Sequence, residues 1–361
     1  MMSMSMMIDD SGAKGHAGLA LGGIYGTLAL LSLCIFCGKF VRHPRQMVDE
    51  LSSNKPHAAL IITGSMAMAI IAELVYFLFR SVDEDGASGA ARVIWYAGYA
   101  ISVFLMVGFT ALRTIHRREL NWAEFTPAWF IVYIGISNFA ITAQGIPGLN
   151  DVLIQAAVYI PTVNLLWMLP LVTYRMATKP PMHRSIAPTI AIFMAPSSLV
   201  AAGWFSSAKR LSWVAGNDHV FLGLGGTLTV LSILTAAYVV MNYRYMFVAV
   251  KPLPNWASYT FPHVIFAVAL IKTSMAVPNP HWLHMVLVGM AWIAIINATL
   301  IVNLVIFVAF LGNINDVISG LNGHHVASWR EYGTTRSKGV VGQQIAAEDA
   351  AKQKQKKSSP A

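Results

Sequence analysis

The sequence predicts an all-α integral membrane protein, and three observations carry that prediction. Hydrophobic residues make up 56% of the 361 and charged residues only 11%, against about 45–50% and about 25% in ordinary soluble domains. The apolar residues gather into nine runs, each close to the roughly 20 residues that a helix needs to cross a bilayer core of about 30 Å. The ten Trp, 17 Phe and 27 Gly suit a chain whose aromatics collect at membrane interfaces and whose helices carry glycine. Open sheets are excluded, because lipid cannot satisfy exposed backbone groups, and the runs are far too long for barrel strands.

The runs are Gly18–Gly38, Ala58–Phe79, Val93–Leu112, Thr126–Gln144, Val152–Thr173, Ile186–Phe205, Val220–Tyr243, Trp256–Met275 and Trp282–Leu311. The last is long enough to tilt or to extend beyond the bilayer. The first 16 residues are polar or Met-rich, and no cleavable signal peptide is evident. Three regions follow: a short polar N-terminal segment over 1–17, a transmembrane channel or transporter domain over 18–312, and a basic cytoplasmic tail over 313–361, expected to be disordered. A polybasic contact with anionic lipid is the other reading of that tail.

The net charge of +9 does not point to nucleic acid, because the basic residues fall between the runs and in the tail. Nineteen lie on one side of the predicted topology, Arg175 among them, and five on the other; Lys272 lies inside a span. The excess places the tail and the odd-numbered loops in the cytoplasm. Cys34 and Cys37 share one apolar run, which excludes a disulfide scaffold and a four-Cys metal site and suppresses a reactive thiolate. No metal and no cofactor is predicted. The sequence has no P-loop and no Gly-rich dinucleotide turn, and His263 is the one histidine well within a span, too few for a di-haem protein.

Ionisable groups inside a membrane are costly and mark functional positions. The two here are Glu73 in the second run and Lys272 in the eighth; a purely structural ion pair is the alternative. In the eighth run Pro262 follows Phe261 and should kink the helix or make it start irregularly. Phe261 and Lys272, eleven residues apart, differ by about 20° around a helix axis, and Ser258, Val268 and Met275 share that face. An aromatic and a cation on one stripe suit a pore lining. Pro127 and Pro196 are expected as kinks of pore helices; Pro161, Pro170 and Pro188 also fall in runs. The small residues of the sixth run, Ala195 to Gly203, suit close helix packing.

Four segments taken in order resemble one family. They are Phe40-Val41-Arg42-His43-Pro44 through Asp49-Glu50-Leu51; Thr126-Pro127-Ala128-Trp129-Phe130; Ala187-Pro188-Thr189-Ile190 through Ala195-Pro196-Ser197; and Trp256 to Pro262. They resemble the tellurite-resistance and C4-dicarboxylate transporter family, which includes bacterial tellurite-resistance-type and plant guard-cell slow anion channels and fungal malate and sulfite transporters. The resemblance runs from about Gly18 to Leu311. It implies a bundle of helix hairpins around a central pore, in a homotrimer with one pore per subunit in the cell membrane. It implies an aromatic gate, which falls on Phe261 and Pro262, and small anions as substrates: halide, nitrate, sulfite, tellurite or malate. The family has ten spans and this sequence shows nine; aligning the His43-Pro44 loop leaves the family's first helix without a counterpart. The expectation is that a helix precedes Met1, and a nine-span variant is the alternative. The Glu73 and Lys272 pair is a second departure, and it leaves open a proton-coupled dicarboxylate carrier using Glu73. Rivals of other classes are a membrane haem or redox subunit and a non-transporting scaffold.

Overall fold

The computed structural model describes residues 62–111, 125–178, 184–243, 258–277 and 281–321, with Gly38 and Arg42. The first predicted span, the 1–17 segment and the tail beyond Leu321 lie outside the described residues, as do Trp256 and Ala257. Among the described residues the fold is all-α, as predicted, with no strand. The chain divides into two units, Met1–Val305 and Ile306–Ala361.

Nine α-helices are labelled in chain order: α1 Thr63–Phe79, α2 Glu84–Thr110, α3 Trp129–Ile134, α4 Ser137–Thr142, α5 Asp151–Thr178, α6 Ala195–Ser207, α7 Asp218–Met241, α8 Thr260–Ala276 and α9 His281–Leu321. A 3₁₀ segment, Arg184–Met194, leads directly into α6. Each predicted span from the second to the ninth therefore contains helix. Local signals set several boundaries. Asp83 caps α2 by accepting from the Gly86 N–H, and Glu84 and Asp85 fill its first turn, where carboxylates favour the positive helix end. The helix thus starts nine residues before the apolar run, and Arg92 lies inside it. Asn217 caps α7 through the Val220 N–H at 3.2 Å.

The helices alternate between two environments. α2, α5, α7 and α9 are long and expose large apolar side chains such as Phe104, Leu166, Leu234 and Ile293. In their most apolar stretches only 28–33% of residues are buried, whereas Thr189–Arg210 is 89% buried. α1, α3–α4, α6 and α8 form the inner layer. α6 packs on α8, α7, α4 and α5, and α1 packs on α2 and α4. Exposed apolar surface on the outer helices is what a lipid-facing layer requires.

Two inner segments depart from the single helices expected. The fourth span is broken at Gly135–Ile136 into α3 and α4. Gly135 is pressed against α1, since a Cβ there would lie 2.7 Å from Met66 Sδ. The Asn138 amide donates to the Met66 carbonyl at 2.9 Å. The amides of Trp129, Phe130 and Ile131 bond three residues back, the tighter 3₁₀ pattern. The sixth span begins with eleven residues of 3₁₀ helix, far beyond the usual three or four. Non-ideal backbone at membrane depth is stable when buried in protein, and residues 125–143 and 189–204 are buried almost throughout. Trp95 of α2 fastens the break from outside, donating through Nε1 to the Phe139 carbonyl at 3.3 Å and to Thr142 Oγ1 at 3.2 Å.

Prolines act at helix starts and within an outer helix. Pro127 lies in the turn before α3, where a missing N–H costs nothing, and Pro196 lies at the junction where the 3₁₀ segment passes into α6. Pro262 occupies the first turn of α8, preceded by a short 3₁₀ turn at Ser258–Tyr259; the helix starts irregularly there. Pro161 and Pro170 are inside α5.

Candidate functional site

On α8 most positions are buried, but the end residues Thr260 and Ala276 and, between them, Phe261, Val264, Val268, Lys272 and Met275 keep accessible surface. At 100° per residue the five between the ends fall within about 80° of arc, so the body of α8 has one open stripe. It contains Phe261, Val268, Lys272 and Met275 of the predicted face. Ser258 is half-buried and precedes the helix. Phe261 and Val268 rest against the main hydrophobic core, and Phe261 lies about 16 Å along the axis from Lys272.

The lysine end of the stripe turns toward other inner helices. Lys272 Nζ donates to Gln144 Oε1, just beyond α4. Glu73, half-buried on α1, lies against the next residue: a Cβ on Gly145 would stand 2.7 Å from Glu73 Oε1 and 2.9 Å from its Cγ. Side chains of α1 and α8 thus converge on Gln144–Gly145. Glu73 and Lys272 are near enough to act on each other's charge, yet among the described residues they form no ion pair. An unpaired charge here costs roughly 2.5–3.5 kcal/mol, so each needs the polar surroundings that the convergence supplies.

Glycine at 145 is required by close approach. Gly145→Ala is expected to push the Glu73 side chain aside and cost about 1–3 kcal/mol, as overpacking does. Glu73→Ala in the same chain removes the obstructing atoms, so the double variant should recover most of that loss. Thermal midpoints of the four proteins in a double-mutant cycle check this.

Behind the Phe261 end lies a network that the sequence does not reveal. His263 is 3% exposed, and its Nδ1 lies 2.6 Å from the Tyr259 carbonyl. A carbonyl only accepts, so Nδ1 carries the proton and Nε2 accepts from the Tyr243 hydroxyl. Asn297 of α9 donates to Tyr243 Oη at 3.1 Å. The bonds run in one direction, from Asn297 through Tyr243 and His263 to Tyr259, and tie the start of α8 to the end of α7 and to α9. His263 points about 160° away from Phe261 around the helix, so the network braces the turn that carries the aromatic ring.

An apolar cavity of about 310 Å³ lies elsewhere, between α5, the 3₁₀ segment and α7, lined by Leu169, Phe193, Leu234 and Tyr238 among others. It contains none of the predicted site residues. Sequence reasoning also misplaced Arg175. Counted as a loop residue, it lies inside α5 and is 6% exposed. The signal was the stripe Asn164, Met168, Val172, Arg175, which stays within about 80° of arc on a helix continued past Thr173.

A comparison with curated protein sequences returns no match. The alternation of lipid-facing and buried helices and the charged convergence on the inner layer accord with a match over residues 4–311 to the family described as SLAC1, voltage-dependent anion channel. That match covers most of the chain, agrees with the resemblance carried by the four segments, and shows that this membrane protein belongs to the voltage-dependent anion channel family.

Proposed function

We propose that the chain passes small inorganic anions or C4-dicarboxylates through a pathway bordered by the open stripe of α8. Phe261 is the gate, held in position by Pro262 and the His263 network. Lys272 attracts anions into the vestibule at the other end of the stripe, and Glu73 limits that attraction. Pro127 and Pro196 shape the inner segments by starting α3 and α6. The observation that carries this reading is the stripe itself: an aromatic ring and a cation on one open face of an otherwise buried helix, with the cation directed to inner-layer groups. The candidate substrates are malate, tellurite, sulfite, halide and nitrate. The chain is proposed to act as a homotrimer in the cell membrane, with its C-terminus in the cytoplasm.

A second reading is supported by one contact. Lys272 bonds Gln144 rather than Glu73, which leaves the Glu73 carboxyl able to carry a proton for a coupled dicarboxylate carrier. Anion flux into proteoliposomes, with and without an imposed pH gradient, tests both. Flux that is saturable, protein-dependent and unmoved by the gradient supports the channel. Flux that the gradient drives uphill supports the carrier. No flux of any of the five anions overturns both.

A further inference from the structure

The apolar cavity between α5 and α7 has no part in the proposed anion pathway. It is a cleft in the lipid-facing layer. At its mouth are Thr173 and Ala177 of α5 and Leu234 of α7, all exposed, Leu234 to 61%. At its floor are Phe193 of the 3₁₀ segment and Thr235, each 5% exposed. Two outer helices part here, and an inner-layer segment lies at the bottom of the gap.

The lining follows one stripe on each outer helix. The α5 positions from Leu169 to Ala177 stay within about 100° of arc, and so do the α7 positions from Leu231 to Tyr238. Leu169 and Ala177 are about 12 Å apart along the axis. Spread over that length, the cavity of about 310 Å³ is a slot roughly 5 Å across. α5 has 28 residues and is about 42 Å long, more than the roughly 30 Å of a hydrocarbon core. Ala177 is the residue before its last. One end of the slot therefore reaches the headgroup boundary, and the other lies about 12 Å deeper.

The chemistry of the lining selects an apolar occupant. The Thr173 hydroxyl donates to the Leu169 carbonyl at 2.7 Å. The Thr235 hydroxyl donates to the Ser232 carbonyl at 3.0 Å and is bonded to Ser197 Oγ at 2.9 Å. Both are engaged within the protein, so water finds little to bond. An apolar cavity of about half this size stays dry and takes up benzene, and an empty one forfeits the dispersion contacts of its walls. What surrounds the mouth is hydrocarbon, since the cleft is continuous with the lipid-facing surface of α5 and α7. A helix of a second copy is about 10–12 Å across with its side chains, too wide to reach Phe193 through the slot. A single unbranched chain is narrow enough.

We propose that the cleft binds one acyl chain of a membrane phospholipid, which enters at the ends of α5 and α7 and lies against Phe193. The chain supplies the packing that the two outer helices leave open over the 3₁₀ segment. Its contact is one ring removed from α3, because the Phe193 ring meets that of Phe130 at 5.9 Å between centroids, and that of Tyr238 at 5.2 Å.

The test is photolabelling of the full chain in phosphatidylcholine vesicles that contain a phosphatidylcholine with a diazirine midway along one acyl chain. Lipid at large labels exposed positions such as Ile293 of α9, 69% exposed. Phe193, at 5%, is labelled only by a chain inside the cleft. The wild type should be labelled at both. Leu231→Trp places a larger ring in the slot, and should lower Phe193 labelling several-fold in folded protein while Ile293 is unchanged. Ala177→Phe fills the slot from its exposed mouth without entering the core, and should act in the same direction where Leu231→Trp folds poorly. Label at Ile293 without label at Phe193 in the wild type overturns the proposal, as does Phe193 labelling that neither variant lowers. A photoreactive leucine in place of Leu234 should couple to lipid. Coupling to a second chain instead means that another copy covers the cleft, and also overturns the proposal.

Discussion

Replacing Phe261 by Ala should raise anion flux per folded molecule. The ring is on the open stripe of α8 and is half-buried, so its removal widens the pathway where the proposed gate stands. Each 1.4 kcal/mol or so taken from a barrier multiplies a rate by about ten, so even a modest contribution from the ring gives about a tenfold rise. A competing effect runs the other way. Phe→Ala in a full core costs about 3–5 kcal/mol, and Phe261 touches the core on one side. The loss should therefore fall below that range and show as a lower yield of folded protein. Flux normalised to correctly folded protein separates the two effects. Unchanged or reduced normalised flux would remove Phe261 from the gate. His263→Ala, which removes the brace without touching the stripe, should raise flux less than Phe261→Ala.

The second large effect is expected at Lys272. Lys272→Met keeps the length of the side chain and removes its charge. Flux at low anion concentration should fall by about tenfold, as when an attraction of about 1.4 kcal/mol is lost, and the loss should shrink as anion concentration rises. Glu73→Gln should have a smaller effect on flux, and it should abolish a pH dependence only in a proton-coupled carrier. Concentration series for both variants in proteoliposomes check this. If Lys272→Met transports normally, and the charge-neutral double variant merely restores expression lost in Glu73→Gln, the pair is structural and the vestibule role fails.

The stripe was legible because it depends on spacing alone: eleven residues separate Phe261 and Lys272, and the helical repeat puts them on one face. Glu73 was legible because a carboxylate in an apolar run stands out. Their convergence on Gln144–Gly145 was not, since which inner helices meet at one level is a tertiary fact. The break at Gly135 and the 3₁₀ run from Arg184 escaped for another reason. Hydropathy reports how apolar a segment is, not how its backbone is wound, and the space at Gly135 is closed by the Ile131 carbonyl at 2.3 Å and by Met66 Sδ at 2.7 Å. Arg175 was lost to a boundary: the apolar run ends at Thr173, but the helix continues until Pro180 and Pro181 come near. Tyr243 left no trace, because a polar residue at the end of an apolar run usually faces water, and Asn297, in the middle of the ninth run, carries no charge to mark it.

The 3₁₀ segment also sets a length. Its eleven residues rise about 2.0 Å each, or about 22 Å, where an α-helix of the same residues would rise about 16 Å. Together with the 13 residues of α6, the inner rod reaches about 40 Å, enough to cross a bilayer core with margin. Rewinding the segment to α would improve its hydrogen bonds and shorten the rod by about 5–6 Å. The stretched form is held by neighbours, since the segment packs on α7, α8 and α6. The reach of this rod is therefore a property of its surroundings. Thinning the contacts around Ile190 or Phe193 would change how far the inner layer extends before it changed what lines it.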